Sequence, residues 1–127
     1  MKKLLIAIPL LLSSFTLFVY SQTWTPDTAA IAKLESSIKP GAIPRWGNGH
    51  SPVITDYARY YTGATMNGES VILGEFVAPS GSAYKGVYVV HSEVQFPMIL
   101  DGGCGIVHVV YSVKAQKLVS VGCNGVA

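Results

Sequence analysis

Cys104, His108 and Cys123 lie within DGGCGIVHVVYSVKAQKLVSVGCNG, residues 101–125, which holds both cysteines of the chain and one of its three histidines. A thiolate beside an imidazole could be a nucleophile with its base, and thiols with imidazoles could bind a metal. The spacing argues against both. Cys104 and His108 are four apart in an alternating run, which on a strand separates them by about 13 Å. Zinc needs three or four ligands, whereas His50, His91 and His108 are scattered without C-x-x-C or H-x-x-x-H spacing. The remaining reading is a disulfide. A hairpin closing near residues 113 and 114 pairs positions whose numbers sum to about 227, as those of Cys104 and Cys123 do, so the two are expected opposite each other at its open end. Closing a loop of about twenty residues should stabilise the domain by roughly 3 kcal/mol.

No other stretch carries a specific catalytic signature. There is no G-x-S-x-G serine motif and no glycine-rich phosphate loop leading into a helix. Asp101 precedes two glycines and reads as a turn former. Glu69 and Glu75 flank a strand, but a working carboxylate pair needs spatial convergence. His91 and His108 read as satisfied strand histidines, and Tyr57, Tyr60 and Tyr61 as cross-strand packing with Tyr61 over Gly74. The strongest binding candidate is a loop. Arg45, Trp46, Asn48 and His50 cluster in PGAIPRWGNGHSPV, residues 40–53, whose prolines and glycines exclude regular structure. Trp and Arg are the types most enriched at contact hot spots, although Trp46 could equally fold back over the helix end. Neither a metal nor a cofactor is expected, and no catalytic residue is assigned.

The elements that must position these groups begin after an export signal. Lys2 and Lys3 precede an apolar run from Leu4 to Val19, and the small residues Val19 and Ser21 sit at the first and third places before a cut, so residues 1–21 read as a secretory signal peptide of bacterial type. Periplasmic or secreted localisation follows, where paired cysteines become oxidised. Residues 22–127 make one small domain with no membrane span. Of nine basic residues, Lys2 and Lys3 leave with the signal, so seven basic residues face seven acids. That balance lacks the basic footprint of a nucleic-acid binder.

Thr25 is the expected helix cap, followed by Pro26, Asp27 and a stripe of Ile31, Leu34 and Ile38 that ends at Pro40-Gly41. Beyond Asp56 the period becomes two. Asn67-Gly68 between YARYYTGATM and ESVILGEFVA predicts a tight hairpin pairing Tyr61 with Gly74 and Tyr60 with Glu75. The face carrying Ala58, Tyr60, Ala64, Met66, Val71, Leu73 and Val77 is mostly apolar and is expected to meet the core, leaving Arg59, Tyr61, Ile72 and Phe76 partly covered. A turn at 79–82, a third strand at 86–94, and a last hairpin of 105–113 and 117–123 complete the pattern.

The expected fold class is therefore α+β: an N-terminal helix on a curved antiparallel sheet of four or five strands, arranged as a meander with one disulfide. The element order over residues 26–123 resembles the cystatin architecture in outline. Ser70-Val-Ile-Leu-Gly74 loosely echoes the Q-x-V-x-G hairpin of cystatins, and Trp46 precedes the strands instead of lying in the late hairpin. The resemblance accordingly transfers no inhibitory residue. The functional expectation is an exported, non-catalytic binding module for a protein or cell-envelope component. The alternatives are a small hydrolase or isomerase with a histidine acid/base between helix and sheet, and a structural envelope protein.

Overall fold

Asn67 and Gly68 both adopt positive φ, 51° and 78°, in the computed structural model, which describes residues 24–44, 53–78, 84–99 and 102–124. Positive φ at both central positions gives a two-residue turn whose twist matches the strands it joins. Those strands are β1 (Ala58–Met66) and β2 (Glu69–Val77), antiparallel, with Tyr61 opposite Gly74 and Tyr60 opposite Glu75 as the sequence predicts. The expected signal peptide, the loop residues Arg45, Trp46, Asn48 and His50, the turn at 79–82 and Asp101 all fall outside the described residues.

Three further strands, β3 (Gly86–Val89), β4 (Ile106–Ser112) and β5 (Lys117–Cys123), build a sheet in the order β3-β1-β2-β4-β5. This is a mixed sheet and not the expected antiparallel meander, because β3 lies outside β1 and runs parallel to it. The place beside β2 goes to β4, which is long enough to match Val71–Val77 residue for residue, whereas β3 is only four residues long. The third strand also ends sooner than its composition suggests. At His91 and Ser92 the backbone N–H groups turn to the side chain of Gln95, at 2.6 and 3.3 Å, and a capping box opens a 3₁₀ turn over Glu93–Gln95. With its donors satisfied locally, the chain leaves the sheet.

Helix α1 (Thr28–Ser37) begins two residues later than expected. Asp27, not Thr25, is the cap, its carboxylate accepting the Ala30 N–H at 2.8 Å. Ile31 and Leu34 are buried and Ile38 closes the helix, as the stripe requires.

The face of the sheet that meets α1 is the reverse of the one expected. Tyr61, Ile72, Phe76, Val107, Val109 and Tyr111 form the core with Ile31, Leu34, Ile43 and Tyr57. The polar ends on this face find partners in the helix. Arg59 Nε donates to Glu35 Oε1 at 2.7 Å, the Tyr61 hydroxyl donates to the same oxygen at 2.8 Å, and an Arg59 guanidinium N–H reaches the Ile54 carbonyl at 2.8 Å. Burying these long side chains is tolerable because their donors are satisfied and their stems and ring supply apolar surface. Tyr61 does lie over Gly74, where an added Cβ would press on its ring, and Phe76 meets the Tyr61 ring edge-on at 5.8 Å.

Cys104 and Cys123 are joined, with Cα atoms 4.6 Å apart, but not as opposed residues of a hairpin. Cys104 sits in a 3₁₀ turn (Gly103–Gly105) ahead of β4, and the ladder places Val107 opposite Cys123. A bulge shifts the register between Val110 and Tyr111, and the turn before β5 takes Gln116 to a φ of 52°. The disulfide ties the entry turn of β4 to the end of β5. A hydrogen bond from the Tyr57 hydroxyl to the Cys104 carbonyl, 2.9 Å, fixes the same turn to the core.

Candidate functional site

The helix-free face of the sheet carries Tyr60, Thr62, Leu73, Glu75, His108 and Val110, since residues of one parity along paired strands project to one side. The segment that leaves β3 crosses this face and does not close on it. A groove of about 450 Å³ remains, floored by Leu73, Glu75, His108 and Val110 and walled by Glu93, Val94, Phe96, Pro97 and Met98. A smaller recess of about 230 Å³ adjoins it, sharing Leu73, Glu93 and Val94 and reaching Thr62 and Ala64. Val94 and Met98 are 86 % and 90 % exposed, so the rim is apolar and faces solvent. At the β3 edge, Tyr60 stacks on its cross-strand partner Tyr88 with ring centres 5.1 Å apart.

Polar groups are few and sharply placed. Glu75 is 4 % exposed and stands opposite His108 across the β2–β4 ladder. Burial raises its carboxyl above the ordinary glutamate value, and the His108 imidazole acts in the opposite direction. Thr62 is 1 % exposed, and its hydroxyl has no hydrogen-bond partner. His108 is oriented from its far side. The Asn124 amide donates to the Ile99 carbonyl at 2.9 Å, which turns its Oδ1 toward His108 Nε2 at 2.6 Å. An amide oxygen accepts only, so Nε2 carries the proton and in the neutral ring Nδ1 is the free acceptor. The pair therefore offers one buried carboxylate and one tautomer-fixed imidazole to whatever enters.

Of the residues singled out in the sequence, Cys104 and Cys123 form a strap away from this groove, and His108 belongs to its floor. His91 is not in a strand and is exposed beyond the end of β3. The groove lies on the sheet face opposite the helix, whereas the hydrolase or isomerase alternative expects a pocket between helix and sheet. The sequence pattern gives no role to Thr62 or Asn124 and offers Glu75 only as half of a carboxylate pair with Glu69. Glu75 did carry a signal, being the only charge inside SVILGEFV, since a carboxylate in the middle of an apolar strand must be covered or used. Asn124 had none, because its role depends on where Ile99 and His108 meet it. Among the described residues no group of three or more His, Cys, Asp and Glu side chains is placed to hold a metal. Comparison of the chain with protein-family models, curated proteins and solved structures finds no match in any of the three.

Proposed function

We propose that this protein is an exported, non-catalytic binding module, and that its ligand, a protein or cell-envelope component, occupies the groove on the helix-free face. The observation that carries the reading is an open groove of ligand size with the nearly fully exposed apolar side chains of Val94 and Met98 on its rim. Exposed apolar groups gathered beside a concavity are characteristic of surfaces that a partner covers. A disulfide is in keeping with an oxidising compartment, and no helix among the described residues is long and apolar enough to cross a membrane.

A photo-crosslinking amino acid at Val94 tests this in cells of the native source, with the exposed helix residue Ala32 as the control position. The expected result is a discrete adduct from position 94 and none from position 32. Equal labelling from both positions, or none from either, would overturn the assignment.

A second reading, a hydrolase or isomerase using His108 as its acid/base, is favoured by the imidazole standing opposite Glu75 with its tautomer set by Asn124. Binding is preferred because the groove is open and His108 is exposed. Water in an open site competes with the fixed dipoles that would stabilise developing charge.

A further inference from the structure

Glu75 and Thr62 are 4 % and 1 % exposed on the groove side; the Thr62 hydroxyl has no hydrogen-bond partner among the described residues, and Glu75 faces the His108 imidazole across the ladder. Buried polar groups without partners are uncommon, and each calls for a specific reason. Here both line the adjoining recesses of one concavity. Thr62 is the diagonal neighbour of Glu75 across the β1–β2 ladder, which places the two about 7–8 Å apart.

The charge on this surface is one-sided. Among the described residues, the lining of the groove and its recess includes two carboxylates, Glu75 and Glu93, with His108 beside Glu75, and no lysine or arginine. Leu73, Val94, Phe96 and Val110 give the groove apolar walls, and His108 lies across the ladder from Glu75. Resting on the binding reading above, we propose that the groove docks a segment of a partner protein through a lysine side chain, its aliphatic stem against these apolar walls and its ammonium on the Glu75 carboxylate.

The chemistry of each part supports this occupant. A lysine combines a long apolar stem with a compact charge that carries three N–H donors, matching a deep carboxylate reached only between apolar walls. The flat guanidinium of arginine needs bidentate acceptors on an accessible plane, and Glu75 has only its groove side open. The arriving ammonium also offsets the desolvation that raises the Glu75 carboxyl in the empty groove. Val94 and Met98 on the rim would then meet apolar neighbours of the lysine.

Pentapeptides with a central lysine, arginine, norleucine or glutamate between identical apolar flanks, together with free hexylamine, can be titrated into the purified protein and into Glu75→Gln by calorimetry. The expected result is binding of the lysine peptide at least about tenfold tighter than the norleucine and glutamate peptides, with that preference abolished in Glu75→Gln. Equal affinity for lysine and norleucine would overturn the cation inference and leave the groove reading standing. Hexylamine binding as tightly as the lysine peptide would overturn the protein segment in favour of a free amine. Absence of binding by every probe would overturn the inference, and the crosslinking from Val94 then reports separately on the groove. Thermal melts of Glu75→Gln keep a folding defect distinguishable from lost recognition.

Discussion

Glu75 shows at the level of a single residue how burial of a carboxyl affects stability. Its carboxyl value is raised in the folded protein by desolvation, against the opposing effect of His108, while Tyr60 on β1, Tyr88 on β3 and Glu93 above the groove are further titratable groups on that side among the described residues. A raised carboxyl means that the folded state holds its proton to higher pH than the unfolded chain. The cost is absent below the ordinary glutamate value and appears in full as pH rises through the raised one. Glu75→Gln should therefore leave stability unchanged near about pH 3.5 and increase it by roughly 1–3 kcal/mol near about pH 8. Urea titrations of both proteins at the two pH values check this, and a destabilised variant at the higher pH would show that Glu75 has a folded-state partner.

At the scale of the element, the β1–β2 hairpin owes its register to its turn. Gly68 sits at φ 78° with open space where a Cβ would be, so a side chain there is penalised by backbone conformation and not by crowding. Gly68→Val should destabilise the protein by about 1–3 kcal/mol, measured by chemical denaturation, whereas Gly68→Asn should cost less because Asn tolerates positive φ. Gly63 obeys a different rule. A Cβ there would collide with Trp24, whose indole N–H donates to the Ala64 carbonyl at 3.1 Å, so Gly63→Ala should unseat the chain ahead of α1. Loss of Trp24 fluorescence shielding from quencher, with the far-UV spectrum retained, is the expected signature.

For the whole molecule, the junctions between layers matter most. The Arg59–Glu35 pair joins sheet to helix with side chains 9 % and 20 % exposed. Removing one partner strands the other, and Glu35→Ala should lower stability by roughly 3 kcal/mol, with little response to salt because the pair is mostly withdrawn from solvent. Denaturation at low and high ionic strength measures both. The disulfide acts on the unfolded chain instead, so Cys104→Ala should lower stability by about 2–5 kcal/mol, and non-reducing peptide maps of the native protein should show a single linked pair with no free thiol.

What the sequence by itself determined was local or covalent. Asn67-Gly68 set the hairpin and its register because the turn needs positive φ at two adjacent residues. The Ile31 and Leu34 stripe marked the buried side of the helix, and two cysteines in the chain left one intramolecular pairing available, although the hairpin arithmetic that favoured it misplaced Cys104. Which face of the sheet meets the helix was decided only by tertiary structure. Counting apolar residues chose the side of Leu73 and Val71, but Glu35, twenty-four residues before Arg59, satisfies both Arg59 and Tyr61 and lets the larger side chains enter the core. The position of β3 outside β1 depended on competition with β4 for the edge of β2, which no local pattern records. The groove follows from both of these choices. Glu75, Thr62 and His108 come from three strands and Asn124 from beyond a fourth, so their convergence exists only once long-range pairing has placed those strands side by side.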